Sequence, residues 1–166
     1  MKSVFLLRHA KSSWSHPGLE DQHRPLNKRG KRDAPLMGER LKERNENLDI
    51  ILASPAKRAI TTAELFADAC GFPAEKIIQE SDLYFFGARS IQSIIINQDD
   101  QYRALMLVFH NPDITEFANS IDAANRIYNI PTCGMVKLVS DIQHWRDWSQ
   151  SNTEFEYFDY PKNISD

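Results

Sequence analysis

A chain of 166 residues with 42% hydrophobic and 26% charged residues can bury a sizeable core without staples or metal, and is expected to form one domain over residues 1–166. A net charge of −3 argues against a generally basic nucleic-acid binder, and no apolar run approaches the length that crosses a bilayer. Cys70 and Cys133 sit in no CxxC or Cys/His spacing, so neither a disulfide framework nor a zinc site is implied, and a reducing cytoplasm is the expected compartment.

In chain order, the first element is the strand Ser3-Val4-Phe5-Leu6-Leu7, a short apolar run without polar alternation, as expected of a strand covered on both faces. Arg8-His9-Ala10 leaves it. Lys11 to Leu26, with two Pro, one Gly and three Ser, is a long connection of the kind that often carries function. Asn27 is expected to cap a helix to about Arg44, with Ala34, Met37 and Leu41 as its apolar stripe, and Pro35 to kink it near Lys31 or divide it. Asp49 to Ala53 is the second strand. Ser54, with Pro55 in first helical position, is expected to cap a helix to about Cys70. Lys76 to Glu80 reads as a third strand, Ser90 to Gln98 as a helix and Ala104 to Phe109 as a fourth strand ending at His110. Asn111-Pro112 repeats the cap-then-proline signal and opens a helix to about Ser120. Met135 to Ile142 and Glu154 to Tyr160 are expected to be closing strands. Strands alternating with helices make an α/β domain with a largely parallel sheet.

Three strand ends carry unusual polar residues: Arg8 and His9, Ser54 with Arg58, and His110. In a parallel sheet those carboxyl ends share one edge, so residues distant in sequence converge there. Two arginines, two histidines and a helix N-terminus describe an anion pocket. A phosphoryl group suits it, because guanidinium forks match its oxygens and neutralise charge in the transition state. An imidazole attacks phosphorus if its other nitrogen is fixed by a hydrogen bond. His9 is the expected nucleophile and His110 the expected hydrogen-bond partner of a phosphoryl oxygen. Charge is unevenly spread: residues 1–60 hold thirteen Lys and Arg against seven Asp and Glu, and residues 61–166 hold seven against sixteen. A basic first third suits an anionic ligand as well as it suits a solvated helix face.

Arg8-His9-Ala10, Ser54-Pro55-Ala56-Lys57-Arg58-Ala59 and His110-Asn111-Pro112 resemble the signature of the histidine phosphatase superfamily, with its phosphoglycerate-mutase-like fold. The stretches from Leu7 to Trp14 and from Arg24 to Gly30, with Pro131-Thr132-Cys133-Gly134 and Pro161-Lys162, are similar to its small phosphohistidine phosphatase branch, the SixA type. The resemblance implies a three-layer αβα domain with a mostly parallel central sheet. It also implies transient phosphorylation of His9, phosphoryl binding by Arg8, Arg58 and His110, and no need for a metal or other cofactor.

Two departures stand out. Phe109 occupies the place before His-Asn-Pro where the family often has Gly, which would narrow the pocket or alter access to it. Larger relatives use a carboxylate as general acid. Here Glu80 and Asp82 follow the third strand as candidates without a clear match, and either suits a solvated loop charge better than a general acid. A weak acid favours a P–N bond, because an imidazole with a reference pKa of about 6.5 leaves readily whereas an alkoxide needs a proton. Ser15 lies in the loop after the nucleophile, where it would touch phosphate or serve a turn. The expected activity is a cytoplasmic phosphatase acting on a phosphorylated protein or a small phosphate substrate, phosphohistidine first, with no nucleic-acid or membrane partner. The alternatives are a small-molecule phosphomonoesterase and a non-catalytic phosphate- or phosphoprotein-binding module with Phe109 blocking the pocket.

Overall fold

A computed structural model describes residues 1–124 and 126–164. Six strands, β1 (Lys2–Arg8), β2 (Ile50–Ala53), β3 (Ile77–Gln79), β4 (Ala104–Phe109), β5 (Met135–Ser140) and β6 (Thr153–Asp159), form one sheet in the order β3-β2-β4-β1-β5-β6. β1 to β4 pair in parallel, whereas β5 is antiparallel to both β1 and β6, so the sheet is mixed. Helices α1 (Lys28–Glu43), α2 (Lys57–Cys70), α3 (Ala88–Ile96) and α4 (Asp113–Ile121) complete three layers.

Alternation along β1 and β4 divides the core in two. Phe5, Leu7, Met106 and Val108 pack with Ala34, Met37 and Leu41 of α1 and with Ala63 and Phe66 of α2. Val4, Leu6, Leu105, Leu107 and Phe109 face the other way, onto Ile91 and Ile95 of α3 and Ile114 and Phe117 of α4. Both sheet faces are therefore dry, which is why β1 reads as an uninterrupted apolar run. Phe109 is fully buried in the second cluster, so its ring fills the core beneath α3 and α4 and does not block a pocket.

Local expectations are corrected at three points. α1 runs unbroken through Pro35. A mid-helix proline costs about 3 kcal/mol, and burial of Ala34, Met37 and Leu41 on α2 and the sheet outweighs it. Ala56, not Ser54, precedes the first turn of α2, with no side-chain cap. Pro112 likewise precedes α4 without a side-chain cap, while Asn111 donates from Nδ2 to Asn129 Oδ1 at 2.7 Å and to the Ile130 carbonyl at 3.1 Å. Both polar residues are committed to tertiary contacts at the sheet edge. Asn27 does cap α1, accepting from the Gly30 N–H at 2.9 Å.

Among the described residues, no helix is long and apolar enough to cross a membrane.

Candidate active site

Register aligns the site. Arg8 pairs with Phe109 and Ala53 with Val108, so the residues that follow β1, β4 and β2 emerge side by side at one edge. β4 lies between the other two strands, and His110 therefore sits between His9 and Ser54. The His9 and His110 ring centroids are 5.2 Å apart.

His9 is held on all sides. Its N–H donates to the Phe109 carbonyl at 3.1 Å, and the Cys133 N–H bonds to the Arg8 and His9 carbonyls at 3.1 and 3.0 Å. Ala10 N–H donates to Thr62 Oγ1, whose hydroxyl donates to the Arg58 carbonyl, at 2.9 and 2.6 Å. Nδ1 of His9 lies 2.8 Å from the Ala10 carbonyl, which can only accept, so the ring donates from Nδ1 and leaves its lone pair on Nε2. Burial pushes its pKa well below 6.5 against the Ala10 hydrogen bond, and His110, Arg58 and Arg8 push it further. A neutral ring with a free Nε2 lone pair is a nucleophile at neutral pH.

Around it, each partner has at least one polar atom tied and another unpaired. Arg8 donates from Nη1 to the Ile130 carbonyl at 2.9 Å, and its buried Nε has no hydrogen-bond partner. Arg58, in the first turn of α2, donates from Nη1 to the Asp21 carbonyl at 2.7 Å and from Nη2 to Asp21 Oδ2 at 2.9 Å, and its Nε is unpaired. His110 Nε2 lies 2.7 Å from Ser54 Oγ, and its buried Nδ1 is unpaired. A buried unmade hydrogen bond costs about 1–3 kcal/mol, and here three occur in the vicinity of His9. A phosphoryl group, with oxygens accepting in several directions, would satisfy all three at once.

The turn 131–134 explains how Arg8 is aimed. Gly134 accepts from the Arg8 N–H at 3.0 Å, and a Cβ at Gly134 would meet Ile130 Cγ2 at 2.8 Å and the Pro131 carbonyl at 2.9 Å. Only Gly lets this turn close beneath the arginine.

Four residues of the site carry no functional signal in the sequence, or carry the signal of another role. Asp21 accepts from Arg58, from Arg24 Nε at 3.2 Å and from Tyr84 OH at 2.7 Å. Burial would raise its pKa, but hydrogen bonds from Tyr84 and Arg58 and the Arg58 charge bring it down to about 2. Tyr84 belongs to the segment after β3 and ties it to the 20–24 loop. The next ring, Phe85, stacks on His110 with centroids 4.7 Å apart and 23° between planes. Phe85 is 47% exposed and has φ of 61°. Ser54, expected as a cap, is wholly buried against His110. The Asp21 to Arg24 spacing in the long loop was the one available signal for the first of these.

The remaining candidates lie elsewhere in the contact pattern. Ser15 Oγ pairs with Ser13 Oγ at 2.7 Å in an exposed turn. Glu80 accepts from the Asp82 N–H at 3.2 Å, as the local cap of a single 3-10 turn. Among the described residues, none of Ser15, Glu80 and Asp82 hydrogen-bonds to Arg8, His9, Arg58 or His110. Trp14, 75% exposed, carries the Arg24 guanidinium over its ring at 3.6 Å, whereas Trp145 and Trp148 are core residues.

Comparison with known proteins adds independent findings. The family model for the histidine phosphatase superfamily (branch 1) matches residues 4–112. A protein of Hydrogenobacter thermophilus named phosphoserine phosphatase 1 is 29% identical over 157 residues, covering 91% of this chain and 68% of its own. An uncharacterized protein of Mycobacterium tuberculosis, Rv1276c, is 32% identical over 151 residues, covering 85% and 90%. Among solved structures, one named as a phosphohistidine phosphatase SixA, from Agrobacterium tumefaciens, superposes with a TM-score of 0.81 at 28% identity, covering 96% of this chain and 98% of that one. A protein histidine phosphatase SixA complexed with tungstate shares the fold at TM-score 0.79 and 20% identity, covering 98% and 99%.

Proposed function

Because the chain belongs to branch 1 of the histidine phosphatase superfamily, we propose that this phosphatase removes the phosphoryl group from protein phosphohistidine through a phosphohistidine intermediate on His9. The observation that carries the reading is the Nδ1 hydrogen bond of His9 to the Ala10 carbonyl, which leaves Nε2 as the nucleophile beside three unpaired donors.

In the first step Nε2 of His9 attacks phosphorus in line, the substrate P–N bond breaks, and the departing imidazole takes a proton from solvent. Arg8 Nε, Arg58 Nε and His110 Nδ1 donate to the phosphoryl oxygens as charge spreads over them. In the second step water attacks phosphorus, the P–N bond to His9 breaks, and inorganic phosphate leaves. His9 recovers its lone pair.

The leaving group argues for the substrate class. Asp21, the carboxylate tied to Arg58, is held near 2 and is ionised at neutral pH, so it has no proton to give. Glu80 is engaged by a main-chain N–H. A site without an engaged acid suits imidazole, which leaves with little help, better than an alkoxide. The similarity to the named phosphoserine phosphatase favours a second reading, in which the substrate is a small phosphate ester.

Phosphate release from a phosphohistidine-bearing peptide and from phosphoserine, measured side by side with wild type and His9→Ala, tests the proposal. Faster release from phosphohistidine that is abolished in His9→Ala supports it. Faster release from phosphoserine overturns the substrate class in favour of the ester, and release that survives in His9→Ala overturns the nucleophile.

A further inference from the structure

Ser54 and His110 form a buried pair that the reaction scheme leaves unexplained. Both are essentially inaccessible to solvent, and Ser54 Oγ lies 2.7 Å from Nε2 of the ring. The same oxygen accepts the Ala56 N–H at 3.3 Å. A hydroxyl has one hydrogen to give, and two arrangements compete.

If Nε2 carried the ring proton, Ser54 Oγ would accept twice and its own hydrogen would have no acceptor among the described residues. Nδ1 would then turn a lone pair toward a phosphoryl oxygen, two acceptors facing each other. If Ser54 instead donates to Nε2 while accepting from Ala56, both Ser54 Oγ and Nε2 are satisfied and the proton sits on Nδ1, the atom with no protein partner and the one left to donate to a ligand. The second arrangement makes His110 a donor, like the unpaired Nε–H of Arg8 and of Arg58.

We propose that Ser54 is a positioning residue that fixes the Nδ1–H form of neutral His110, so that this ring presents a hydrogen-bond donor to the phosphoryl group. The proposal rests on the reading of His110 as a phosphoryl ligand. The chemistry of a hydroxyl matters here: a carboxylate in its place would favour a charged ring beside Arg8 and Arg58, whereas Ser54 orients the imidazole and leaves it neutral. It also accounts for a serine that directly follows β2 and yet caps no helix.

Long-range proton–nitrogen correlation of the 15N-labelled full chain reads the tautomer directly, with the His110 signals assigned by their loss in His110→Gln. The expected spectrum places the proton on Nδ1 in wild type. Ser54→Ala is expected to mix the two forms, and Ser54→Thr, which keeps the hydroxyl, to restore the Nδ1–H signature. The affinity for inorganic phosphate, read by titration calorimetry, is expected to weaken roughly ten-fold in Ser54→Ala, the size of effect seen when a supporting hydrogen bond behind a metal-ligating histidine is removed. A proton on Nε2 in wild type overturns the proposal, as does a Ser54→Ala protein that keeps both the Nδ1–H form and wild-type phosphate affinity. Neither readout requires turnover, so a failure of the phosphohistidine substrate reading is seen separately, in the release assay.

Discussion

Asp21 and Arg58 hold each other twice: Oδ2 of the carboxylate lies 2.9 Å from Nη2, and the Asp21 carbonyl lies 2.7 Å from Nη1. The guanidinium is almost wholly buried while the carboxylate is 44% exposed. Removing the partner of a fully buried charge costs about 3–5 kcal/mol, and solvent screening at Asp21 reduces that to about 1–3 kcal/mol. Asp21→Ala is therefore expected to lower the melting temperature of the unliganded protein by several degrees. Inorganic phosphate supplies a replacement anion, so it should raise the melting temperature of the variant by more than that of wild type. Equal shifts would mean that Arg58 does not need Asp21.

The core and its edge were legible in the sequence because apolar runs and punctuation report directly on burial. That Arg8, His9, His110 and the start of the helix carrying Arg58 lie together could be read from strand ends alone, since parallel pairing brings those ends together whatever the loops do. What stayed hidden was whatever depends on a loop's path. Nothing in the order of Asp21, Tyr84 and Phe85 says that the 20–24 loop and the segment after β3 meet over Arg58 and His110. Ser54 and Asn111 carried the local signature of helix caps and were claimed by tertiary partners, because a buried histidine or carbonyl offers a stronger demand than a solvated helix end. Phe109 misled for a simpler reason. Strand alternation sends it to the core with Leu105 and Leu107, away from the edge that His110 occupies one residue later.

Phe85 separates stability from function. Its φ of 61° costs a non-glycine residue about 1–2 kcal/mol, and its ring stacking on His110 returns about 0.5–1.5 kcal/mol. The two nearly cancel. Phe85→Gly is expected to melt within a few degrees of wild type, yet to lose about five-fold in kcat/KM toward a phosphohistidine peptide as the wall over His110 disappears. Steady-state kinetics and a thermal melt on the same preparation check both halves, and an unchanged kcat/KM would leave the strained ring without a catalytic reason.

Gly30 presents the opposite balance. Inside α1 an alanine would be favoured over glycine by about 1 kcal/mol on propensity alone. A Cβ here, however, runs into the main-chain carbonyl of Lys11, two residues after the nucleophile, where backbone cannot give way as a side chain can. Overpacking of this kind costs about 1–3 kcal/mol, so the clash wins. Gly30→Ala is expected to be destabilised by up to about 2 kcal/mol in urea denaturation and to lose activity through displacement of the 9–12 segment. A more stable variant would show that propensity prevails and that the loop adapts.

The histidine pair makes stability depend on pH with a definite sign. Burial, with the charges of Arg58 and Arg8, holds His110 down to about 3, and burial holds His9 well below 6.5 with the same neighbours adding to it. Unfolded, both rings titrate near 6.5. Below that pH the unfolded chain binds protons that the folded chain refuses, so stability is fully present above about 6.5 and declines as pH falls toward about 3. Each histidine contributes a slope of up to about 1.4 kcal/mol per pH unit in that window. Asp21 acts lower: its depressed pKa stabilises the fold above about 4 and that contribution is lost as pH falls through about 2, so it adds no slope between pH 6.5 and 5. Urea denaturation at pH 7 and pH 5 should therefore show a loss of about 2–4 kcal/mol in wild type, roughly halved in His110→Gln. Equal stability at the two pH values would mean that the rings charge readily in the folded state, and a neutral Nε2 on His9 would then no longer be available below pH 6.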